Sequence, residues 1–478
     1  MTLKLFNTLT REKEEFKPAE EGRVKFYSCG QTIYDDLHVG NSRAYVFWDT
    51  LRRYLEYKGY TVRHVQNITD VGHLTDDGDQ GEDKVEKRAK ELGLEPMELV
   101  EDQIERYFED TGALNIERQD IVPRATGHIH EMVNYVQRII DNGYAYERGG
   151  NVYFDVEKFA EDYPYGEMAN KDLEQLKEEA KSRVEPDERK KNQYDFALWL
   201  NADESHLMKW DAEFDVDGER VESRGYPGWH LECTVMGQKY LGDEFDIHAG
   251  GKDHIFPHHP NERAQAFAAS DEGLARYWLH NEFITVEGEK MSKSEGNFYT
   301  VRELLEDGYS GNAIRLYILS SHYRSETDFS REGLEKAEKE LKRVRRTVER
   351  LKRGEEGTAL GEEVSGFRRD FESEMDDDLG TARAKQRLME FVNEVNAALD
   401  KGEEVSEEAL PAIREALDVF GIEFEEREVE EGLVESMVEL REEAREREDY
   451  DTSDFIREKL ERLGFEVEDT DSGTICFR

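Results

Sequence analysis

Cysteine is scarce in this chain, with Cys29, Cys233 and Cys476 the only three among 478 residues. So few thiols, odd in number, cannot build a disulfide framework, and a reducing compartment is the natural expectation. Long apolar runs are missing too: no stretch approaches the ~20 residues of a membrane span. The opening Met1-Thr2-Leu3-Lys4-Leu5-Phe6 lacks the apolar core of a signal peptide, so a cytoplasmic protein that does not enter a membrane is expected. Positive charge is in deficit, 65 Lys+Arg against 112 Asp+Glu, a formal net charge of −47. Taken alone that balance argues against a polyanionic partner. The acidic residues are spread through nearly every segment and not gathered in a tail, the pattern of a surface adapted to concentrated salt. At about 1 M salt the Debye length is only ~3 Å, so short-range contacts decide whether RNA binds. Internal repeats and strongly low-complexity segments are absent as well.

The length predicts about three domains with sizeable cores. From Lys25 to about Asn115 the pattern reads strand, helix, strand, helix, with Val46, Phe47, Leu51 and Leu55 on one helical face and Tyr60 to Ile68 alternating as a strand. Residues 120–225 read as a charged insertion, with a helix near Ile129 to Ile140 and a Lys/Glu-rich run from Leu173 to Lys191 expected to be loosely ordered. Apolar content returns from Trp229 through Phe298. The predicted fold class is α/β: a Rossmann-like parallel sheet in two halves (1–119 and 226–300) split by the insertion. A helical region (301–424) and a small α/β unit (425–478) follow. In the former, Leu334, Ala337, Leu341, Val344, Val348 and Leu351 form one apolar stripe. The same helix carries Lys339, Lys342, Arg343, Arg345, Arg346, Arg350, Lys352 and Arg353, a cationic cluster expected to meet RNA, with a solvated face as the alternative. The last unit is expected as one helix from Met437 to Leu463 followed by two short strands.

Two motifs carry chemistry. His38-Val39-Gly40-Asn41 stands between a strand and a helix start, where a glycine lets backbone approach a phosphate. Lys290-Met291-Ser292-Lys293-Ser294 is a loop with two lysines, flanked by Gly288 and Gly296, able to fold two ammonium groups over a triphosphate. In this order and at this separation they resemble the paired signatures of class I aminoacyl-tRNA synthetases. Cys29, Cys233, His258 and Glu262 offer two thiolates, an imidazole and a carboxylate, a donor set suited to Zn²⁺. The last two lie four apart, on one face of a helix expected to begin near Pro260. Singly, each has a blander reading as a buried hydrophobe or surface decoration.

The resemblance sharpens to the cysteinyl-tRNA synthetase family through Tyr27-Ser28-Cys29-Gly30-Gln31-Thr32, Asn67-Ile68-Thr69-Asp70, Asp195-Phe196-Ala197-Leu198-Trp199, Gly228-Trp229-His230-Leu231-Glu232-Cys233, Asp246-Ile247-His248-Ala249-Gly250-Gly251, Phe256-Pro257-His258-His259, His322-Tyr323-Arg324-Ser325 and Met375-Asp376-Asp377-Asp378. It runs essentially end to end. It implies one Zn²⁺ per subunit on Cys29, Cys233, His258 and Glu262, binding the substrate thiolate, and Mg²⁺ with ATP. It implies ATP contacts at His38, Gly40, Asn41, Gly250, Gly251, Asp253, Lys290, Met291 and Lys293, with His38, Asn41, Lys290 and Lys293 catalytic. Amino-acid contacts fall at Cys29, Thr32, Trp229 and His248, and anticodon contacts at Arg441, Arg445, Tyr450, Asp454 and Asp469. The implied partners are tRNA(Cys), ATP and L-cysteine, and a monomer is expected. Asn41 departs from the second histidine of many synthetases, and Gly473 to Arg478 departs from the family's Thr-Trp-Arg ending. Two other readings share the core: a cysteine ligase acting on an amino sugar, and a catalytically idle RNA-binding zinc protein. The C-terminal ~150 residues weigh against the first and the intact motifs against the second.

Overall fold

The structure is a computed structural model that describes residues 2–75, 81–183, 187–286, 288–291, 297–354, 357–424, 428–470 and 473–477. The chain divides into two compact units, one of Thr2–Gly308 with Tyr323–Phe329, the other of Tyr309–His322 with Ser330–Arg478.

The first unit is organised by a four-stranded parallel sheet in the order Leu274–Asn281, Glu244–Gly251, Arg23–Ser28, Thr61–Gln66. Its two central strands are buried along most of their length, as a sheet covered on both faces requires. The chain moves outward in opposite directions from Arg23–Ser28 and Glu244–Gly251, so a crevice opens between their carboxyl ends, where ligands bind in open α/β sheets. Helix α1 (Val39–Tyr57) connects the first two strands, burying Val46, Phe47, Leu51 and Leu55. Helices α2 (Lys84–Leu92) and α3 (Pro96–Ala113) follow the second.

The insertion is more ordered than its charge suggests. It holds helix Ile129–Asp141 and a five-stranded antiparallel sheet formed by Ala145–Arg148, Asn151–Phe154, Phe196–Asn201, Glu219–Pro227 and Trp210–Val216 in that spatial order. Leu173–Arg183 is a helix, and Lys191 N–H donates to Tyr146 Oη at 2.7 Å, so the expected loose run is held at both ends. Strand Glu219–Pro227 runs straight into helix Trp229–Leu241, so the insertion delivers Trp229 to the crevice.

In the second unit, helix Arg331–Arg353 buries Leu334, Ala337, Leu341, Val344 and Val348. Each of the leucine and valine side chains contributes about 1.5–3 kcal/mol when fully buried. Its cations are largely committed to protein. Lys342 Nζ is 2.6 Å from Glu466, Arg346 is 2.7 Å from Glu468, Arg350 is 2.7 Å from Asp400, and Arg353 donates to the Thr474 carbonyl at 3.2 Å. Lys342, Arg346 and Arg353 of the helix expected to meet RNA hold the terminal hairpin, Glu466–Thr470 paired with Gly473–Phe477. The single helix expected over 437–463 is two, Glu428–Glu446 and Tyr450–Arg462. Glu448 takes a left-handed φ of 59°, and Asp449 caps the second helix through Thr452 N–H. Among the described residues, no helix is long and apolar enough to cross a membrane.

Candidate active site

The crevice between the two central strands is a cavity of about 900 Å³. Cys29 directly follows the first strand, with its N–H donating to Ala249 C=O at 2.9 Å. Helix Trp229–Leu241 brings Cys233, and helix His258–Ser270 presents His258 and Glu262 one turn apart, its first turn starting two residues earlier than expected. One ligand atom from each of Cys29, Cys233, His258 and Glu262 lies within 4.8 Å of all the others, and all four residues are buried. The two sulfurs are 4.0 Å apart and His258 Nε2 is 3.0 Å from Glu262 Oε1.

The surroundings test whether a cation fits here. Glu262 Oε1 is buried with no hydrogen-bond donor aligned on it, while Oε2 lies 2.8 Å from His248 Nε2. Burial alone would raise the Glu262 carboxyl, but His248 and His258 hold it down to about 2. Burial would likewise raise the Cys233 thiol, yet hydrogen bonds to Cys29 and His258 bring it to about 6. Burial pushes the Cys29 thiol up, and against its own burial His258 is held up at about 10 by Glu262 and Cys233, so the site puts a positive charge among its anions where a bound cation would stand. His258 Nδ1 is 2.7 Å from His230 Nδ1, the outer contact that orients a ligating imidazole. With two soft sulfurs, a nitrogen and an oxygen, the donor set fits Zn²⁺. Cys29, His248, His259 and Glu262 converge equally closely but offer one sulfur. There His259 Nδ1 is held 2.8 Å from His280 and His248 backs Glu262, which makes both outer supports of the first set. His248, expected in the amino-acid pocket, is fully buried with Nε2 on Glu262 Oε2.

Thr32 and Trp229 do line the crevice, together with a residue the sequence did not single out, His73. The His73 ring stacks on Trp229 at 4.0 Å and 7°, and its two nitrogens lie 2.6 Å from Thr32 Oγ1 and 2.6 Å from Lys84 Nζ. A lysine ammonium only donates, so His73 Nε2 accepts and Nδ1–H donates to Thr32, whose own O–H is then turned to donate elsewhere. Burial, with Lys84 next, keeps this imidazole neutral. No sequence spacing signals this relay, since its members meet only when the 73–84 segment folds back. Asn67, of the quoted Asn-Ile-Thr-Asp run, accepts the Gly30 N–H at 2.9 Å and shapes the same corner.

On the nucleotide side, His38 caps α1, its Nδ1 accepting the Asn41 N–H at 3.3 Å, which leaves the ring proton on Nε2. A β-carbon at Gly40 would stand 2.9 Å from that ring and 3.2 Å from Met291 Cε, so only glycine lets the two signatures approach. The Asn41 side chain donates to Gln31 Oε1 at 3.0 Å. Gly250, Gly251 and Asp253 line the opposite wall, where a β-carbon at Gly250 would meet His254 and His259 within 3.0 Å. Lys290 pairs with Thr285 in a short hairpin. Its side chain, and all of Lys293, lie outside the described residues.

In the second unit the five anticodon candidates fall into two groups. Tyr450 and Asp454 are exposed. Arg441 is 2% exposed, bonded to Asp469 at 2.6 and 3.1 Å and to Thr474 Oγ1 at 2.5 Å, and Arg445 also pairs with Asp469. Arg441, expected in or beside the anticodon contact, has its guanidinium enclosed by its own hairpin.

The profile of the class I (C) tRNA synthetase catalytic domain matches residues 15–339, and that of the DALR domain residues 370–425. By shape, the chain is similar to a Mycobacterium tuberculosis methionyl-tRNA synthetase bound to methionyl-adenylate (TM-score 0.57, 15% identity, 83% of this chain and 88% of that one). It is also similar to an Agrobacterium radiobacter LeuRS–tRNA–LeuAMS complex (TM-score 0.59, 12% identity, 85% and 84% covered). Sheet, crevice and domain matches together define a class I aminoacyl-tRNA synthetase. In sequence the chain is 45% identical to a cysteine–tRNA ligase of Thermus thermophilus over 99% of this chain and 98% of the relative. It is 43% identical to that of Thermococcus onnurineus over 100% and 99%. The chain belongs to the cysteine–tRNA ligase family.

Proposed function

We propose that the chain activates L-cysteine with ATP and transfers it to the terminal ribose of tRNA(Cys), in a cytosol rich in salt. What supports this reading most is the meeting of Cys29, Cys233, His258 and Glu262 beside the His38–Asn41 helix start in one crevice. The cysteine carboxylate is already a nucleophile, so the first step needs alignment with the α-phosphorus and stabilisation of charge on the phosphoryl oxygens, not a general base. His38 Nε2–H donates to those oxygens. Lys290 and Lys293 hold the β- and γ-phosphates, with Mg²⁺ accompanying ATP, and pyrophosphate leaves. Thr32 O–H, fixed by His73, orients the amino acid against Trp229. The tRNA ribose hydroxyl then attacks the adenylate carbonyl and releases AMP.

A pocket of the right shape separates cysteine from serine or alanine by only ~1–3 kcal/mol. Zn²⁺ held by Cys29, Cys233, His258 and Glu262 would supply a soft Lewis acid that accepts the substrate sulfur as thiolate, which neither competitor can match. No separate editing site is then needed. The reading is tested by cysteine-dependent ATP–pyrophosphate exchange and aminoacylation of tRNA(Cys) in molar potassium chloride. Both should occur and both should be abolished by a zinc chelator, while exchange with no dependence on cysteine would refute it.

A further inference from the structure

His38 sits in a short antiparallel ladder that joins the two signature segments. Val39 N–H donates to Tyr299 C=O at 3.0 Å, Val301 N–H donates to Leu37 C=O at 2.9 Å, and His38 and Thr300 are bridge partners. Asp36 comes just before Leu37, and Arg302 just after Val301 in the first turn of helix Val301–Glu306, so both flank the same end of the ladder. Both are taken up by α3. Arg106 grips Asp36 through two hydrogen bonds, each 2.6 Å long. Arg302 lies 2.8 Å from Glu109 and 3.0 Å from Asp110.

Arg106, Glu109 and Asp110 are spaced three and four along the helix, so they share one face. An adjoining side of α3 buries Val100, Ile104 and Tyr107, and Tyr107 Oη donates to Gln66 at 2.7 Å, at the end of a sheet strand. Both chains of the ladder are therefore tied, at its 37/301 end, to a single helix that also reaches the sheet. Thr300 and Glu303 close a capping box on the helix that begins there, which makes Arg302 a fixed point and not a flexible tip.

Resting on the function proposed above, we propose that Arg106 and Arg302 are positioning residues for adenylate formation. Their ion pairs to Asp36, Glu109 and Asp110 hold the 37–39/299–301 ladder in register, so that His38 keeps its place beside the ATP phosphates. The partly exposed Arg106–Asp36 pair adds little to global stability, whereas Arg302 also meets Asp110, whose side chain is only 3% exposed. Orientation is another matter, since a 1 Å misplacement remote from the chemistry can cost ~10²-fold in rate.

The experiment combines exchange kinetics with amide hydrogen exchange on the full-length protein carrying Arg106→Ala, Arg106→Lys, Arg302→Ala, or the charge swap Asp36→Arg with Arg106→Asp. Arg106→Ala and Arg302→Ala should each lower kcat for pyrophosphate exchange by ~10–10²-fold and raise KM for ATP. KM for cysteine and zinc content should stay near wild type in both, and the thermal midpoint should stay near wild type in Arg106→Ala. Arg106→Lys or the swap should restore part of the rate. The Val39 and Val301 amides should exchange faster in both alanine variants. Unchanged protection of those amides overturns the inference whether or not the protein turns over. So does a loss shared equally by both substrates and the thermal midpoint. Absence of exchange in the wild-type protein refutes the proposed function instead, leaving the amide result to decide the ladder.

Discussion

Two polar clusters in this molecule look alike in sequence and differ in what they bring together. At the crevice, two thiols, an imidazole and a carboxylate are buried together, and Glu262 Oε1 has no donor aligned on it. In the terminal hairpin, Arg441 is also buried; Asp469 and Thr474 meet both of its terminal nitrogens at 2.5–3.1 Å, and its Nε has no partner. The first cluster gathers four metal-ligating atoms within 4.8 Å of one another, whereas the second pairs a fixed cation with its own carboxylate. A convergence of polar side chains points to a ligand when its atoms are metal donors aimed at one centre, and to architecture when opposite charges pair within it.

Replacing a metal-facing atom should break this comparison most severely. Cys233→Ala should cost exchange activity more than the ~10–10²-fold expected for an outer support, with zinc lost in parallel, as metal analysis on the purified variant would register. His230→Ala, which removes the contact orienting His258, should weaken zinc by that ~10–10²-fold while leaving the fold intact, read by chelator competition. Arg441→Ala should destabilise the C-terminal unit by about 1–3 kcal/mol, measured by denaturant unfolding, with zinc content and pyrophosphate exchange unchanged. Tyr450→Ala should raise KM for tRNA(Cys) by the equivalent of about 1 kcal/mol, the low end of a lost base stack, without altering exchange. Smallest is a pH effect. The hydrogen bond from Arg441 holds the Asp469 carboxyl down at about 2. A carboxyl lowered on folding contributes stability that is fully present above its ordinary range near 4 and is lost as pH falls toward 2. Acid titration should therefore loosen the hairpin in wild type and have less effect on Asp469→Asn.

Local periodicity made some of this legible from sequence and hid the rest. The 3-4-3-4 spacing from Leu334 to Val348 marked a helix because the burying face repeats with the helical turn. Arg23–Ser28 and Thr61–Gln66 read as strands for the corresponding reason. The antiparallel sheet of the insertion did not: Trp210–Val216 and Glu219–Pro227 form a local hairpin across Asp217-Gly218, but their many exposed charged side chains blur the strand pattern. The break at Glu448 and Asp449 lay within an amphipathic run that continues on both sides of it. At the site, the four-residue step from His258 to Glu262 was visible locally, while joining it to Cys29 and Cys233 rested on resemblance. The His73 relay and the Arg106–Asp36 clamp join residues 41 and 70 positions apart and leave no trace in spacing.

The central claim is that a metal held by Cys29, Cys233, His258 and Glu262 chooses sulfur. Equilibrium binding of cysteine and of serine to the zinc-loaded and the zinc-stripped protein measures this directly. Loaded protein should prefer cysteine by far more than shape allows, and stripping should reduce the preference to the ~1–3 kcal/mol of a simple pocket. An equal preference in both forms would contradict the account.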